Sequence, residues 1–162
     1  MNKFMTLVAT LFGVGHLPKM PGTWGSLFAL LIGVPAIHFI PWYVFIGLIL
    51  ILIPIGIMAA NTYQAKTGEH DSGKVVIDEL VGQWIALAPL ALAVPFTFAV
   101  PFDDFRWATL LAFGLFRFFD VIKPWPISWM DKNIKGGWGV MADDIAAGVA
   151  AAMVLFGLGF FI

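Results

Sequence analysis

The chain has 162 residues, 60% hydrophobic and only 12% charged, with a formal net charge of −1. An ordinary soluble domain has roughly 45–50% apolar and about 25% charged residues, so this composition excludes a conventional water-soluble fold. The absence of cysteine also excludes disulfides, thiolate-bound zinc and cysteine nucleophiles. The near-neutral charge gives no reason to expect a nucleic-acid partner. We therefore predict one integral membrane domain over residues 1–162.

Five apolar stretches are candidates for helices that cross the bilayer, which requires about 20 mostly apolar residues. They are residues 27–40, 42–60, 80–100, 107–119 and 145–162. The first is short and contains Pro35, so a tilted span, half of a hairpin and a re-entrant helix are all open for it. The predicted fold class is all-α, a polytopic membrane helical bundle of about five spans with its active-site loops on the cytoplasmic face.

The lysines give this bundle an orientation. All seven lie in the N-terminal stretch, in residues 61–79 or in residues 120–144, which five spans put on one side of the membrane. Lys and Arg near the ends of spans stay in the cytoplasm. We therefore expect the lysine-rich loops, and the polar residues within them, to face the cytoplasm.

The first polar stretch on that side is the Gly/Thr/Ser segment at residues 13–26. One interpretation is a turn followed by Ser26 as the N-cap of the next helix. The other is a substrate-binding loop, in which Thr23, Ser26 and nearby backbone amides meet an anion at a helix N-terminus. Both interpretations stay open from the sequence alone.

The second polar stretch contains two adjacent carboxylates, Asp78 and Glu79, where a long apolar helix begins. The helix dipole favours acids there, which accounts for one of them but leaves the other as a candidate ligand. Gly82 lies one turn after Asp78 on the same face, so a neighbouring backbone or a ligand can approach closely. For His70 and Asp71, a hydrated loop pair and a ligand role are both open.

The third polar stretch begins at the end of the fourth predicted span, with Arg117, Asp120 and Lys123. Arg117 and Asp120 are three residues apart and share a helix face, which predicts an intrahelical ion pair. Charged groups at the end of a span are costly and usually functional or paired. A catalytic role for these three residues is the alternative to the simple ion pair.

The same stretch ends with Asp143 and Asp144, predicted to open the last span. An N-cap explains one of these carboxylates, and a metal site explains both. Behind them, small residues at 147, 148, 151 and 152 predict close helix packing.

Together these stretches gather carboxylates and cations at one membrane face. Carboxylate clusters without cysteine favour hard cations such as Mg2+, which commonly binds through one or two carboxylates plus substrate phosphate. Arg and Lys beside such a metal bind phosphate oxygens. The residues therefore predict a metal-dependent enzyme acting on a phosphorylated lipid, with hydrolysis and transfer both open.

At these residues the sequence resembles the phosphatidylglycerophosphatase A family. These bacterial membrane enzymes remove the terminal phosphate of phosphatidylglycerophosphate to give phosphatidylglycerol. The matching pieces are Pro21-Gly22-Thr23 with Gly25-Ser26, His70-Asp71, Asp78-Glu79 with Val81-Gly82, residues 117–127, and Gly136-Gly137 through Asp143-Asp144. The resemblance implies Mg2+ dependence, a multi-pass location in the bacterial inner membrane, and a role in phospholipid biosynthesis.

In a phosphatase of this kind, we expect the metal shell to comprise Asp78, Glu79, Asp143 and Asp144. Asp120 is expected to act as a further ligand or base, while Arg117 and Lys123 hold the phosphoryl oxygens. Attack by water and attack by an Asp nucleophile are both open. The alternative from another class is a small multispan transporter subunit, which would carry its charges in the middle of its spans.

Overall fold

A computed structural model describes residues 3–69, 72–93 and 105–159, and these ranges are helical with no strand. The helices are α1 Lys3–Ala9, α2 Pro21–Phe39, α3 Trp42–Thr67, α4 Ile77–Ala93, α5 Phe105–Ile122, α6 Ile127–Asn133 and α7 Gly136–Leu158, with a 3₁₀ turn at Val14–His16. The predicted all-α class is confirmed.

Three of these helices, α2, α3 and α7, are long and apolar enough to cross a membrane, as expected of a membrane protein. The first predicted segment lies in α2, which is one continuous helix through Pro35. α4 has 17 described residues, and residues 94–100 of its predicted span lie outside the described ranges. α5 carries three charged residues in 18. The count of five spans therefore stays a prediction.

Two helices begin earlier than the sequence predicted. α2 begins at Pro21, whose fixed φ suits the first helical position. α7 begins at Gly136, well before the predicted last span. Ser26, Asp143 and Asp144 consequently lie inside helices, and the N-cap interpretations offered for them are wrong.

The outer surface of the bundle is strongly apolar. Phe39 is 86% exposed, and Leu31 and Trp107 are each 70% exposed. Large contiguous apolar surfaces are rare on soluble monomers, because water penalises them. Lipid carries no such penalty, so this surface suits a bundle embedded in a bilayer.

α4 lies at the centre of the bundle and is buried on almost every side. Trp84 connects it to two neighbours: its ring stacks on Phe45 of α3 with centroids 5.0 Å apart, and its Nε1 donates to the Ala29 carbonyl of α2 at 3.0 Å. Satisfying the indole N–H in this way removes the cost of burying it. The position of α4 is thereby fixed relative to α2 and α3.

α4 and α7 approach each other through glycines. A Cβ at Gly148 would collide with the Gly82 carbonyl oxygen, and a Cβ at Gly82 would lie 2.7 Å from the Asp144 carbonyl oxygen. Ala147 and Ala151 on α7 are fully buried beside this contact. Small residues allow such close backbone approach in membranes. The predicted packing role of the small-residue seam is confirmed, as is the close approach predicted at Gly82.

We expect Gly82→Ala to lower the free energy of unfolding by about 1–3 kcal/mol, the usual cost of overpacking a tight contact. Gly47→Ala in α3 is the matched control, because a Cβ there meets nothing within 4 Å. That control should be neutral or slightly stabilising, since Ala is the better helix former. Denaturant unfolding of both variants in one detergent measures the difference, and equal stabilities would contradict the close approach of α4 and α7.

Candidate active site

A cavity of about 570 Å³ lies where α2, α4 and α7 begin and α5 ends. Six acidic and four basic side chains line it, which leaves a formal charge of −2 when all are ionised. They are Asp78, Glu79, Asp120, Asp131, Asp143, Asp144, Arg117, Lys123, Lys132 and Lys135. The structure thus brings together all seven residues predicted as catalytic or metal-binding.

The carboxylate of Glu79 joins three helices. Its Oε2 lies 2.6 Å from Arg117 Nη1 of α5 and accepts a hydrogen bond from Ser26 Oγ of α2 at 2.9 Å. Arg117 Nη1 also lies 2.8 Å from Asp120 Oδ2, so the predicted ion pair within α5 is present. These three charged side chains are only 12–18% exposed. Charge-assisted hydrogen bonds with so little solvent are among the strongest in proteins.

A glycine makes this junction possible. A Cβ at Gly22 in the first turn of α2 would collide with Glu79 Oε1 and lie 3.3 Å from Arg117 Nη1. The start of α2 can therefore approach the ion pair closely only because residue 22 lacks a side chain.

Lys123 forms a second charged cluster at the other side of the cavity. Its Nζ donates to Asp131 Oδ1 at 2.7 Å and to Asp143 Oδ2 at 2.6 Å. Burial lowers the pKa of the Lys123 ammonium, but the hydrogen bonds to the two carboxylates outweigh this and hold the pKa above its ordinary value. Lys123 therefore stays protonated at physiological pH.

The backbone at Lys123 is strained. Its φ is 47°, in the left-handed region, directly after α5 and before Pro124. Glycine is the usual residue at this position of a helix end, because a side chain in this conformation costs about 1–2 kcal/mol. The contacts of the ammonium with two carboxylates offset this cost.

Asp144 points into the bundle because of its place in α7. Six of the nine buried α7 residues recur every three or four positions, at 137, 141, 144, 148, 151 and 155, so these six form one face. Asp144 is 4% exposed, and no described residue makes a hydrogen bond or ion pair with its carboxylate. Its carboxylate interacts with four other carboxylates, those of Glu79, Asp78, Asp120 and Asp143, and with the cation of Arg117. A further cation would reduce the repulsion among these carboxylates.

The four predicted metal ligands differ in whether a cation already pairs with them. Asp78 and Asp144 form no direct ion pair with a described residue, whereas Glu79 and Asp143 are already paired with Arg117 and Lys123. No three acidic or histidine side chains within those same ranges are arranged to hold an ion by themselves. Mg2+ commonly needs only one or two carboxylates, with waters and phosphate oxygens completing its shell.

Two of the four residues predicted to bind substrate lie outside the cavity lining, whereas Arg117 and Lys123 are part of it. Neither Thr23 nor Ser26 lines the cavity. Thr23 Oγ1 is buried without a hydrogen-bond partner in the described part of the chain, while Ser26 Oγ lies between Glu79 Oε2 and the Gly22 carbonyl oxygen. Ser26 thus orients Glu79, and direct substrate contact by either residue stays a prediction.

Sequence reasoning missed three residues that shape the site. Lys132 and Lys135 line the cavity but were used only to orient the bundle. Asn61 of α3 accepts a hydrogen bond from the Gly137 amide at 2.7 Å and so holds the start of α7. The one sequence signal for Lys132 and Lys135 is their position just before Gly136 and Gly137; Asn61 has no such signal. His70 and Asp71 lie outside the described residues.

Comparison with known proteins gives a consistent result. The sequence profile of the phosphatidylglycerophosphatase A family matches residues 7–159. The Escherichia coli phosphatidylglycerophosphatase A is 39% identical over 153 residues, covering 94% of this chain and 82% of the relative. The Haemophilus influenzae protein of that name is 36% identical over 152 residues, covering 94% and 86%.

A third relative differs in name. A Bacteroides thetaiotaomicron protein, provisionally named as a phosphatidylinositol-3-phosphatase, is 39% identical over 153 residues and covers 92% of this chain and 89% of its own length. No solved structure shows a significant match to this chain.

Lys123→Met should lower the free energy of unfolding by about 1–3 kcal/mol, because it leaves Asp143 buried without its cation. Asp143→Asn added to that variant should recover part of the loss, since it removes the unpaired charge. Denaturant unfolding of both single variants and the double variant measures the coupling. Lys66→Met, at the exposed end of α3, is the control and should change little. Additive effects of the two substitutions would contradict the pairing.

Proposed function

This chain belongs to the phosphatidylglycerophosphatase A family, and on that premise we propose that it removes the terminal phosphate of phosphatidylglycerophosphate. The products are phosphatidylglycerol and inorganic phosphate, and the setting is phospholipid biosynthesis. The observation that carries this proposal is the cavity itself, where partly buried cations lie beside unpaired carboxylates at the end of an apolar bundle.

Arg117 is proposed to hold the phosphoryl oxygens. Its contacts with Glu79 and Asp120 use Nη1, and its Nε and Nη2 make no hydrogen bond or ion pair with the described residues. Those two nitrogens lie on one edge of the planar guanidinium, which suits two oxygens of a phosphate. The carboxylates therefore orient Arg117 while its other edge is available for substrate.

Asp78 and Asp144 are the residues we expect to hold Mg2+ first, with Glu79 and Asp143 joining if their cations shift to the phosphate. When bound, Mg2+ supplies positive charge that offsets the charge of the phosphate and polarises water. Acidic residues outnumber basic ones by two in the cavity lining, so this positive charge would favour the entry of a phosphate dianion.

Asp120 is proposed as the general base. Water attacks phosphorus, and Asp120 accepts the proton of the attacking water. The P–O bond to the glycerol oxygen breaks with its electron pair staying on that oxygen, which then takes the proton from Asp120 to give the free hydroxyl. The Arg117 contact holds Asp120 in one orientation for this role. In the alternative, an Asp carboxylate attacks and an aspartyl phosphate forms. Protein-bound phosphate trapped by acid quenching during turnover would indicate that alternative.

The cavity is proposed to face the cytoplasm of a bacterial inner membrane. Three of the seven lysines line it, and Lys near span ends stays cytoplasmic. A transporter subunit, the rival function, would carry charges along a path through the bundle. The central helix α4 instead carries its described charged residues in its first turn only.

Phosphate release by the purified protein in detergent tests substrate and metal together. We expect faster release from phosphatidylglycerophosphate than from phosphatidic acid or phosphatidylinositol 3-phosphate, and loss of release in excess EDTA with recovery on adding Mg2+. The name of the third relative makes the inositol lipid the informative competitor. Faster release from phosphatidylinositol 3-phosphate would contradict the proposed substrate. Full activity in excess EDTA would contradict the proposed Mg2+ requirement.

Asp144→Asn should separate activity from stability. The substitution keeps the shape of the side chain but removes a buried, unpaired charge, so the protein should fold with unchanged or higher stability. Turnover with Mg2+ should fall by at least about 10- to 100-fold, the scale of a disturbed metal site. Glu69→Gln, exposed and outside the cavity lining, is the control. Wild-type turnover in Asp144→Asn would exclude Asp144 as a ligand.

Arg117→Lys tests whether Arg117 contacts phosphate or only pairs with carboxylates. Lys keeps the charge beside Glu79 but has no planar edge for two oxygens. We expect turnover to fall about 100-fold, the scale of losing one transition-state donor, with folding nearly normal. Arg117→Ala should lose stability as well, because Glu79 is left unpaired. Thermal unfolding and phosphate release measure both, and near-normal turnover of the Lys variant would assign Arg117 to structure.

A further inference from the structure

A second cavity, of about 530 Å³, lies between the end of α5, the segment leading through α6, and the outer side of α7. Its lining is aromatic and aliphatic, and none of its described lining residues is charged. Trp125 and Met153 in this lining are 81% and 65% exposed. The cavity is therefore an open apolar groove on the surface of the bundle.

The groove and the polar cavity share the same stretches of chain. Phe119 lines the groove, and the next residue, Asp120, lines the polar cavity. Pro124 lines the groove, and the residue before it, Lys123, lines the polar cavity. The end of α5 and the connector after it thus separate a site for charged groups from a site for apolar ones.

α7 forms a long wall of the groove. Its lining residues include positions 138, 142, 145, 149 and 153, which recur every three or four residues and so share one face. They cover a rise of roughly 22 Å at about 1.5 Å per residue. One leaflet of hydrocarbon is about 15 Å deep, half of a 30 Å core. The groove therefore runs from the level of the polar cavity well into the apolar layer.

We propose that this groove binds an acyl chain of the lipid whose phosphate occupies the polar cavity. The inference rests on the proposed function in taking a phosphorylated lipid as substrate. A lipid joins a charged head group to long apolar chains, and the protein presents a charged cavity and an uncharged groove on opposite sides of one chain segment. The concave shape and the position beside the polar cavity, across the end of α5 and the connector, distinguish the groove from the rest of the lipid-facing surface.

Binding of the chain has a consequence for specificity. A chain packed in a fitted groove gains dispersion contacts and holds the lipid in one position, while the reaction occurs at the other end of the molecule. The groove therefore makes the enzyme select a diacyl lipid over a water-soluble phosphate monoester with the same head group.

The test fills the groove without touching the polar cavity. Ala146→Phe places a ring in the groove, and Ala150→Phe is the second variant in case the first folds poorly. Val154→Phe is the matched control, because residue 154 lies on α7, is 37% exposed and is outside the groove lining. The two substrates are dioleoyl phosphatidylglycerophosphate in mixed micelles and its deacylated, water-soluble head group.

We expect kcat/KM for the dioleoyl lipid to fall at least about tenfold in the groove variants, while hydrolysis of the deacylated head group stays at the wild-type level. The control should match wild type on both substrates. Equal loss on both substrates, or no loss on the lipid, would overturn the proposal. Failure of the wild type on both substrates would instead overturn the proposed function.

Photo-crosslinking gives a readout that does not depend on turnover. Phosphatidylglycerol with a diazirine at the chain end should label wild-type peptides that contain residues 138–153, and Ala146→Phe should abolish this labelling. Labelling spread evenly over all lipid-facing helices would overturn the proposal. So would a change from one oligomeric state to another in Ala146→Phe, measured by light scattering, since the groove would then be an interface between copies.

Discussion

The desolvated contact between Glu79 and Arg117 is the interaction on which the arrangement of this bundle depends. Apolar side chains gain little by leaving lipid for one another, so apolar surface alone does not fix how helices align in a membrane. A nearly buried carboxylate and guanidinium are costly unless they meet. Their contact at 2.6 Å, with Ser26 bound to the same oxygen, therefore sets the positions of α2, α4 and α5 relative to one another. The close approach at Gly82 and Gly148 then packs α7 against α4.

The charges of the polar cavity balance one another in a way that links anion and cation binding. Arg117 and Lys123 are each held by two carboxylates. An anion that takes over either cation leaves those carboxylates without a partner, and they then attract a metal ion more strongly. The metal ion proposed at Asp78 and Asp144 would in turn reduce the repulsion met by an entering phosphate. On this proposal, the two kinds of ligand favour each other through the same residues.

The sequence predicted the membrane environment, the gathering of charges at one end and the pair of Arg117 with Asp120, because these depend on composition and on spacing within one helix. Other features depend on partners distant in the chain. Glycines in a sequence are typical of loops, and only the contact with a neighbouring backbone explains them inside a helix. The predicted starts of α2 and α7 were therefore too late in the chain. The contacts of Glu79 with Arg117 and of Lys123 with Asp143 join separate helices. The spacing of residues 137, 141, 144 and 148 predicts a buried face that contains Asp144, but only if α7 is known to begin at Gly136.

The two anchors of α7 make its length, as well as its composition, a determinant of the site. Gly137 is held by α3 and Gly148 by α4, eleven residues apart, which is about three turns of helix. Between them, Asp143 and Asp144 point to different sides of the cavity wall because adjacent residues differ by about 100° around the helix. Inserting or deleting one residue between the anchors would rotate both carboxylates away from their present neighbours without substituting either of them. Changes of length in this protein are therefore compatible with the site only outside that interval.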